Sequence, residues 1–403
     1  MHREETELPL SGIRVIEFSH MVMGPSTGVI LADLGADVIK VEPIGGDRTR
    51  QLLGSGAGYF PMYNRNKQSI SLDLKSAAGL EVARALVEGA DVLIENFRPG
   101  ALEALGLGPD SFAESNPGLI YFSAKGFLQG PYEHRAALDE VAQMMGGLAY
   151  MTGPGGRPLR AGASVIDVTG GMFGVIGILA ALERRHRTGK GGTVRSSLYE
   201  TTAFLVGQHI AQMAVTGKAA RPMPERISAW AIYDVFDTDT PEQQVFIGVV
   251  SDSQWQSFTR EFGLDAWAED EALALNNQRV LRRDELMPQL RAMVGGMSRA
   301  ELLAKLERAR VAYAPIMRPE DLLEDAHLNA NGSLVELTLD NGTAVRLPAV
   351  PVEIDGRLPG VRQDLAPAGK DSAAVLKALG YDDDAIDRMV KAGAVALAEQ
   401  AGA

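Results

Sequence analysis

No cysteine occurs anywhere in the 403 residues. Disulfides, thiolate catalysis and Cys-ligated metals are therefore excluded. Only six histidines are present, scattered at His2, His20, His134, His186, His209 and His327, and none forms an HExxH-type pair. A His-based metal site has no support, and no metal is expected. Basic residues are outnumbered, with 39 Lys and Arg against 52 Asp and Glu, a net charge of −13 and a pI near 5.1. That balance speaks against a nucleic-acid partner, although a local basic cluster can still hold an anion. No GxGxxG follows the first strand-like run and no P-loop is present, so nucleotide fingerprints are missing too. The opening MHREETELPLSG is charged and carries no apolar core of a signal peptide. The most apolar stretch, Val175–Leu182, is too short to span a bilayer. A cytoplasmic protein with no membrane partner is expected.

What is present is an ordinary globular composition, 46% hydrophobic and 23% charged, at a length that suggests two to three domains. The first 125 or so residues alternate short β-like runs with helical stretches. The runs are Arg14–Phe18, Val38–Glu42, Ser69–Asp73, Asp91–Glu95 and Leu119–Ser123. Such alternation predicts an α/β fold with a mostly parallel sheet, and ligands in such sheets sit beyond the carboxyl ends of the strands. A Gly-rich segment, Thr152–Gly162, leads into Val165–Asp167 and then a long apolar helix over roughly Met172–His186. The polar, Pro-rich run from Gly217 to Arg226 reads as a linker. Beyond it, Ala231–Phe236 and Gln244–Val249 suggest a hairpin, and Ser253–Phe262 and Arg299–Ala309 suggest helices of a smaller α+β domain. Leu334–Thr338 and Val345–Pro348 flank a DNG turn, and the tail is helical at Ala373–Leu379 and Ala385–Lys391.

Several segments, in order, carry a family resemblance. They are LSGIRVIEFSHMVMGP from Leu10, LADLGADVIKVEPIGGD from Leu31, YNRNKQSISLDLK at Tyr63–Lys75 and ADVLIENFRPGALEALGLG at Ala90–Gly108. SAKGF at Ser123–Phe127, DEVAQMMGGL from Asp139, VIDVTGGMFG around Asp167 and PVEIDGRLP from Pro351 follow. Together they resemble the class III coenzyme A transferases, the CaiB–BaiF family, over nearly the whole chain. The resemblance implies a Rossmann-like large domain formed by both chain ends, a smaller inserted α+β domain, and an interlocked homodimer. The expected boundaries are 1–205 for the large domain, 206–228 for a linker, 229–330 for the small domain and 331–403 for the return segment.

The resemblance also assigns chemistry. It makes Asp167 the nucleophile of a CoA transfer from a donor acyl-CoA to a free carboxylic acid, through an aspartyl anhydride and an aspartyl-CoA thioester. Read without it, an Asp before a helix is a favoured N-cap. Coenzyme A enters as substrate, and no tightly bound cofactor is expected. His20, Met21 and Val22 would line the site after the first strand, with Val22 where formyl-CoA transferase-like members carry Gln. Leu138 and Asp139 would line it too, and Gly248 would belong to a lid over the nucleophile. CoA would contact Leu72, Lys75, Asn96, Phe97, Arg98 and Lys125. Pro43 and Ala104 stand where some members have CoA-contacting Arg. Gly170 and Gly171 would let substrate approach closely. The alternative is an acyl-CoA racemase or epimerase on the same scaffold. Racemase members carry a His base directly before the Asp, where this chain has Leu138, and leucine cannot transfer a proton. Inward-pointing arginines among Arg135, Arg157 and Arg160, near His134, would hold a second carboxylate and favour a small dicarboxylic acid. An apolar lining from Met21, Met23 and Leu138 would favour a monocarboxylic one.

Overall fold

The computed structural model describes residues 8–226 and 228–398. Its contacts divide the chain into two units. One comprises residues up to Pro224 and from Ala326 onward, and the other Glu225–Asp325.

The larger unit is built on a seven-stranded sheet. Six strands are parallel: β1 (Arg14–Phe18), β2 (Asp37–Glu42), β3 (Lys67–Leu72), β4 (Val92–Glu95), β5 (Ile120–Lys125) and β6 (Gly192–Ser197). They lie in the order β3-β2-β1-β4-β5-β6, that of doubly wound α/β folds. The short strand Val395–Ala396 adds antiparallel to β3, so the C-terminal segment completes the sheet edge. Alternate strand residues go to opposite faces. Ile16, Phe18 and Leu93 pack under α3 (Ala77–Glu88, the third of seven helices in the first part of the chain). Val15, Val92 and Ile94 pack under α1 (Met23–Asp33) and α6 (Val165–Thr188). The other helices are α2 (Tyr59–Tyr63), α4 (Asp139–Met145), α5 (Leu148–Thr152) and α7 (Leu198–Thr216).

β6 was not visible as a strand in the pattern. Its GTVRSS sequence is largely polar and exposed at the sheet edge, so no hydrophobic alternation marks it. Helix α6 starts at Val165, seven residues before its expected start, and the glycines of its first half are packing positions. A Cβ at Gly171 would lie 2.2 Å from Ser26 Oγ and 2.9 Å from the Met23 carbonyl on α1. At Gly174 it would lie 2.4 Å from the Phe122 ring, and at Gly177 2.5 Å from Val194. The apolar run therefore belongs to a 24-residue helix, long and apolar enough to cross a membrane by composition alone. Here one face of it is packed on α1 and the sheet as part of the core.

The linker expected at 206–228 begins inside α7, which continues to Thr216 and stops at Gly217 in the left-handed region (φ 68°). Only the Pro-rich part after that glycine is irregular. The smaller unit holds an antiparallel sheet of β7 (Tyr233–Phe236), β8 (Val245–Gly248) and β9 (Ala312–Pro315). Helices Asp252–Glu261, Arg283–Val294 and Arg299–Ala309 cover it around Trp255, Phe258 and Leu302.

A set of buried charges lies on and beside β1, β2 and β3. Lys40 Nζ contacts Glu17 Oε1 and Asp47 Oδ2, each at 3.2 Å, and Lys67 Nζ contacts Glu17 Oε2 at 2.8 Å. Arg65 forks onto Asp33, with Nη2 at 2.7 Å, and Arg50 onto Glu42 at 2.8 Å. Asn66 Oδ1 accepts from the backbone of Arg362 and Gln363, which ties in the C-terminal segment. All but Arg50 of these side chains are buried, and each is paired, as buried charge requires.

Candidate active site

The strand order reverses between β1 and β4, which opens a crevice at their carboxyl ends. The two loops there grip each other. Asn96 Oδ1 accepts from the His20 amide at 3.1 Å, and Asn96 Nδ2 donates to the His20 carbonyl at 2.7 Å. The next residue, Met21, is held at φ 63° and donates its amide to Thr49 Oγ1 at 3.0 Å. A left-handed non-glycine backbone costs on the order of 1–3 kcal/mol and tends to mark functional loops.

A cavity of about 390 Å³ opens from this crevice. Of the residues read from the sequence, Asp167, His20, Met21, Val22, Leu138, Asp139, Asn96 and Lys125 line it. Tyr59, Ser55, Glu140, Arg160 and Ser164 were not expected as active-site lining on that reading, Arg160 having been considered only as an acid-binding arginine. Tyr59 and Tyr63 stand four apart on α2, on one helical face, which is the signal that was available for them. Burial first, then the Asp167 charge, raises the Tyr63 pKa.

Asp167 lies inside the first turn of α6, two residues past Val165, and is not the N-cap. The cap bonds come from another helix. Asp139 Oδ2, at the start of α4, accepts from the Ile166 and Asp167 amides at 2.9 and 3.2 Å. Asp139 Oδ1 accepts from Gln143 at 2.5 Å and faces Arg160 Nη2 at 3.5 Å. With Asp139 capping the turn, the Asp167 side chain is released to the cavity. Among the described residues nothing hydrogen-bonds to its carboxylate oxygens. Burial, and then the Asp139 carboxylate, push the Asp167 carboxyl up from 3.8 to about 7, with Arg160 pulling the other way. The N-terminus of α6 favours the ionised form.

The other lining groups have partners. Lys125 Nζ pairs with Glu95 at 2.6 Å and donates to the Phe97 carbonyl at 3.0 Å. The His20 ring lies against that of Phe97, tilted by 38° with centroids 5.5 Å apart. Partial burial lowers its pKa, Asp47 opposing and Lys40 adding, so the imidazole is neutral at pH 7. Leu138 is 63% exposed and presents an apolar wall.

Two further cavities continue the crevice. One, of about 230 Å³, shares His20 and Met21 with the first and adds Arg48, Thr49 and Phe97. The next, of about 570 Å³, shares Val41, Pro43 and Phe97 with the second and reaches Leu72 and Lys75. Leu72 is buried at the end of β3, while Lys75 is exposed. Arg98 is exposed and lines none of the three, because the chain turns outward after Phe97.

Other expected residues are elsewhere. His134 is exposed, paired with Glu133 and outside the cavity. Arg135 lies over the Tyr132 ring at 5.0 Å. Gly170 is buried against Met23 and Gly171 against α1, so both serve helix packing where substrate approach was expected. Gly248 ends β8 of the smaller unit, beside the Phe246 and Tyr233 rings.

A family model, CoA-transferase family III, matches residues 10–372. The chain belongs to that family. A succinate–glutarate CoA-transferase of Agrobacterium fabrum is 34% identical over 357 residues, covering 85% of this chain and 89% of the relative. An acetyl-CoA:oxalate CoA-transferase of Acetobacter aceti is 35% identical, covering 86% and 90%. A crystal structure of a CaiB/BaiF family protein from Brucella suis superposes with a TM-score of 0.81 at 32% identity, over 93% of this chain and all of that one. The protein is thus a CoA-transferase of the family III type, with acyl-CoA as substrate.

Proposed function

We propose that Asp167 is the nucleophile of this CoA-transferase and that the acceptor is a small dicarboxylic acid. The observation that carries the first part is the unpartnered, half-buried carboxylate of Asp167 at the head of α6, facing the cavity.

The ionised Asp167 attacks the thioester carbonyl of the donor. The C–S bond breaks, CoA leaves as thiolate, and a mixed anhydride remains. The thiolate attacks the Asp167 carbonyl and releases the donor acid, leaving an aspartyl-CoA thioester. The acceptor carboxylate attacks that thioester, and the returning thiolate then takes the acceptor acyl group and frees Asp167. No net proton is needed. A carboxylate nucleophile keeps every intermediate activated, where a hydroxyl or amine would end as stable ester or amide. Leu138 and the position of His134 outside the cavity favour transfer over α-proton exchange.

The run of three cavities supports a CoA path. The thioester sits at Asp167, the pantetheine passes His20, Asn96 and Phe97 near Lys125, and the nucleotide end reaches Leu72 and Lys75. Arg48 and Lys75 supply cations along it. The dicarboxylate acceptor is supported by the glutarate and oxalate in the relatives' names. A homodimer is supported by the exposed apolar side chains on α6 and α7, among them Ile176 at 59%, Phe204 at 71% and Ile210 at 60%. Light scattering showing a stable 43 kDa monomer would remove the dimer from the proposal.

The test of the chemistry is trapping. Enzyme incubated with a panel of acyl-CoAs and then hydroxylamine should carry a hydroxamate at Asp167 and lose activity, and Asp167→Ala should neither label nor turn over. Normal turnover by that variant would remove Asp167 from the mechanism.

A further inference from the structure

Arg160 enters the Asp167 cavity already holding a carboxylate that belongs to the chain. Its Nη1 donates to Glu140 Oε1 at 2.8 Å, and its Nη2 faces Asp139 Oδ1 at 3.5 Å. The two contacts differ in kind. Asp139 is buried and committed to the α6 amides and Gln143. The Glu140 side chain is 57% exposed, at the cavity mouth, and makes no bond other than that to Arg160 among the described residues. Lys125, the other cation lining this cavity, is occupied by Glu95.

We infer that the Arg160–Glu140 pair is a self-occupied subsite for the distal carboxylate of the acid, with Glu140 standing in for that carboxylate until substrate displaces it. The inference rests on the Asp167 transfer proposed above and deepens its acceptor class. The energetics favour exchange. An exposed ion pair is a weak contact, so Glu140 swings into water at little cost. An incoming carboxylate takes both terminal nitrogens of the guanidinium, a planar fork that matches it. A resident anion also keeps the guanidinium paired when the site is empty, and it disfavours acids without a second carboxylate, which leave the pair in place. One end of a short dicarboxylate then lies at Arg160 and the other at Asp167, which already feel each other's charge.

The readout is the ratio of kcat/KM for a dicarboxylate to that for its matched monocarboxylate, succinate against butyrate and glutarate against pentanoate. It is measured at pH 8.5, where Asp167 is ionised, with a donor that acylates the wild type. Arg160→Gln should lower the ratio at least about tenfold, the size of a lost charged hydrogen bond, with Arg160→Lys in between. Glu140→Gln should raise it about two- to fivefold, by removing the competing carboxylate. A ratio unmoved by Arg160→Gln, or lowered or unmoved by Glu140→Gln, overturns the subsite. Hydroxylamine trapping on each variant separates the two readings. A normal Asp167 adduct with an unmoved ratio refutes only the subsite, while no adduct in the wild type refutes the transfer chemistry beneath it.

Discussion

Replacing Asp167 by Asn should make the protein more stable, and increasingly so as pH rises. The carboxyl is raised from 3.8 to about 7 by burial and by Asp139. The folded state therefore holds this proton more tightly than the unfolded chain does. Below pH 4 both states are protonated and the group is neutral to stability. Between about pH 4 and 7 the unfolded chain ionises first, and stability falls. Above about 7 the full penalty is present. A rise of roughly three units at about 1.4 kcal/mol each sets a ceiling near 4 kcal/mol. Because the cavity opens to water, the expected gain is smaller, about 1–3 kcal/mol at pH 8.5 and close to zero at pH 4. Asparagine has nearly the same shape and sacrifices no hydrogen bond, since the carboxylate accepts none among the described residues. Denaturant unfolding of wild type and Asp167→Asn at several pH values from 4 to 8.5 measures the difference. A difference that does not grow with pH, or a variant less stable at pH 8.5, would refute the account of a strained carboxylate. The same shift implies that the rate of donor acylation rises with pH along a limb near 7.

Asp139→Ala removes two cap bonds and the nearest like charge, so it should cost about 1–3 kcal/mol of stability and move the acylation limb to lower pH. A limb that stays in place would show that Asp139 acts on α6 alone. Lys67→Met leaves Glu17 buried with one cation fewer and should destabilise by about 3–5 kcal/mol in denaturant unfolding. Gly171→Ala drives a Cβ against the immovable Met23 carbonyl, and should lower stability by about 1–3 kcal/mol and slow acylation as well. Gly177→Ala meets only the Val194 side chain, and is expected to cost stability with much less effect on rate.

The parallel strands were legible because they are buried on both faces and read as Val- and Ile-rich runs. β6 was not, since its first residues are polar and exposed. Asp167 was singled out by the motif around it, and its place inside the first turn of α6 differs from the helix boundary expected from the sequence. Sequence pattern treats Gly170 and Gly171 as helix-weakening, whereas α1 lies within 3 Å of where their side chains would be, so the close helix–helix contact requires them. Asp139 was expected as site lining, and its function as the cap of a helix 28 residues away depends on a loop geometry that no local pattern encodes. Arg160 stood out as a cation near the site, but its partner Glu140 lies on α4 and becomes its neighbour only after folding.

The YNRNKQSISLDLK segment of the resemblance shows how fold and chemistry divide the labour. Arg65, Asn66 and Lys67 do not line the cavity with Asp167. They pair with Asp33, the C-terminal segment and Glu17. Glu17 stands on β1, one residue before Phe18 and three before His20, and Ser19 Oγ donates to it at 2.8 Å. Asp33 ends α1, whose first residue follows Val22. The buried charges thus clamp both ends of the segment that carries the His20–Met21–Val22 loop. Breaking such a pair is far more costly than replacing it whole with apolar side chains. The segment can move only if several buried ions are uncovered together. Helix α6 is in turn pressed onto that same α1 through Gly171, one turn beyond Asp167 on the same helical face. The loop on one side of the reacting carboxylate and the helix that bears it are therefore referenced to a single rigid element. A misplacement of about 1 Å at such a centre can cost on the order of a hundredfold in rate, which is reason enough for buried ions that do not themselves line the Asp167 cavity.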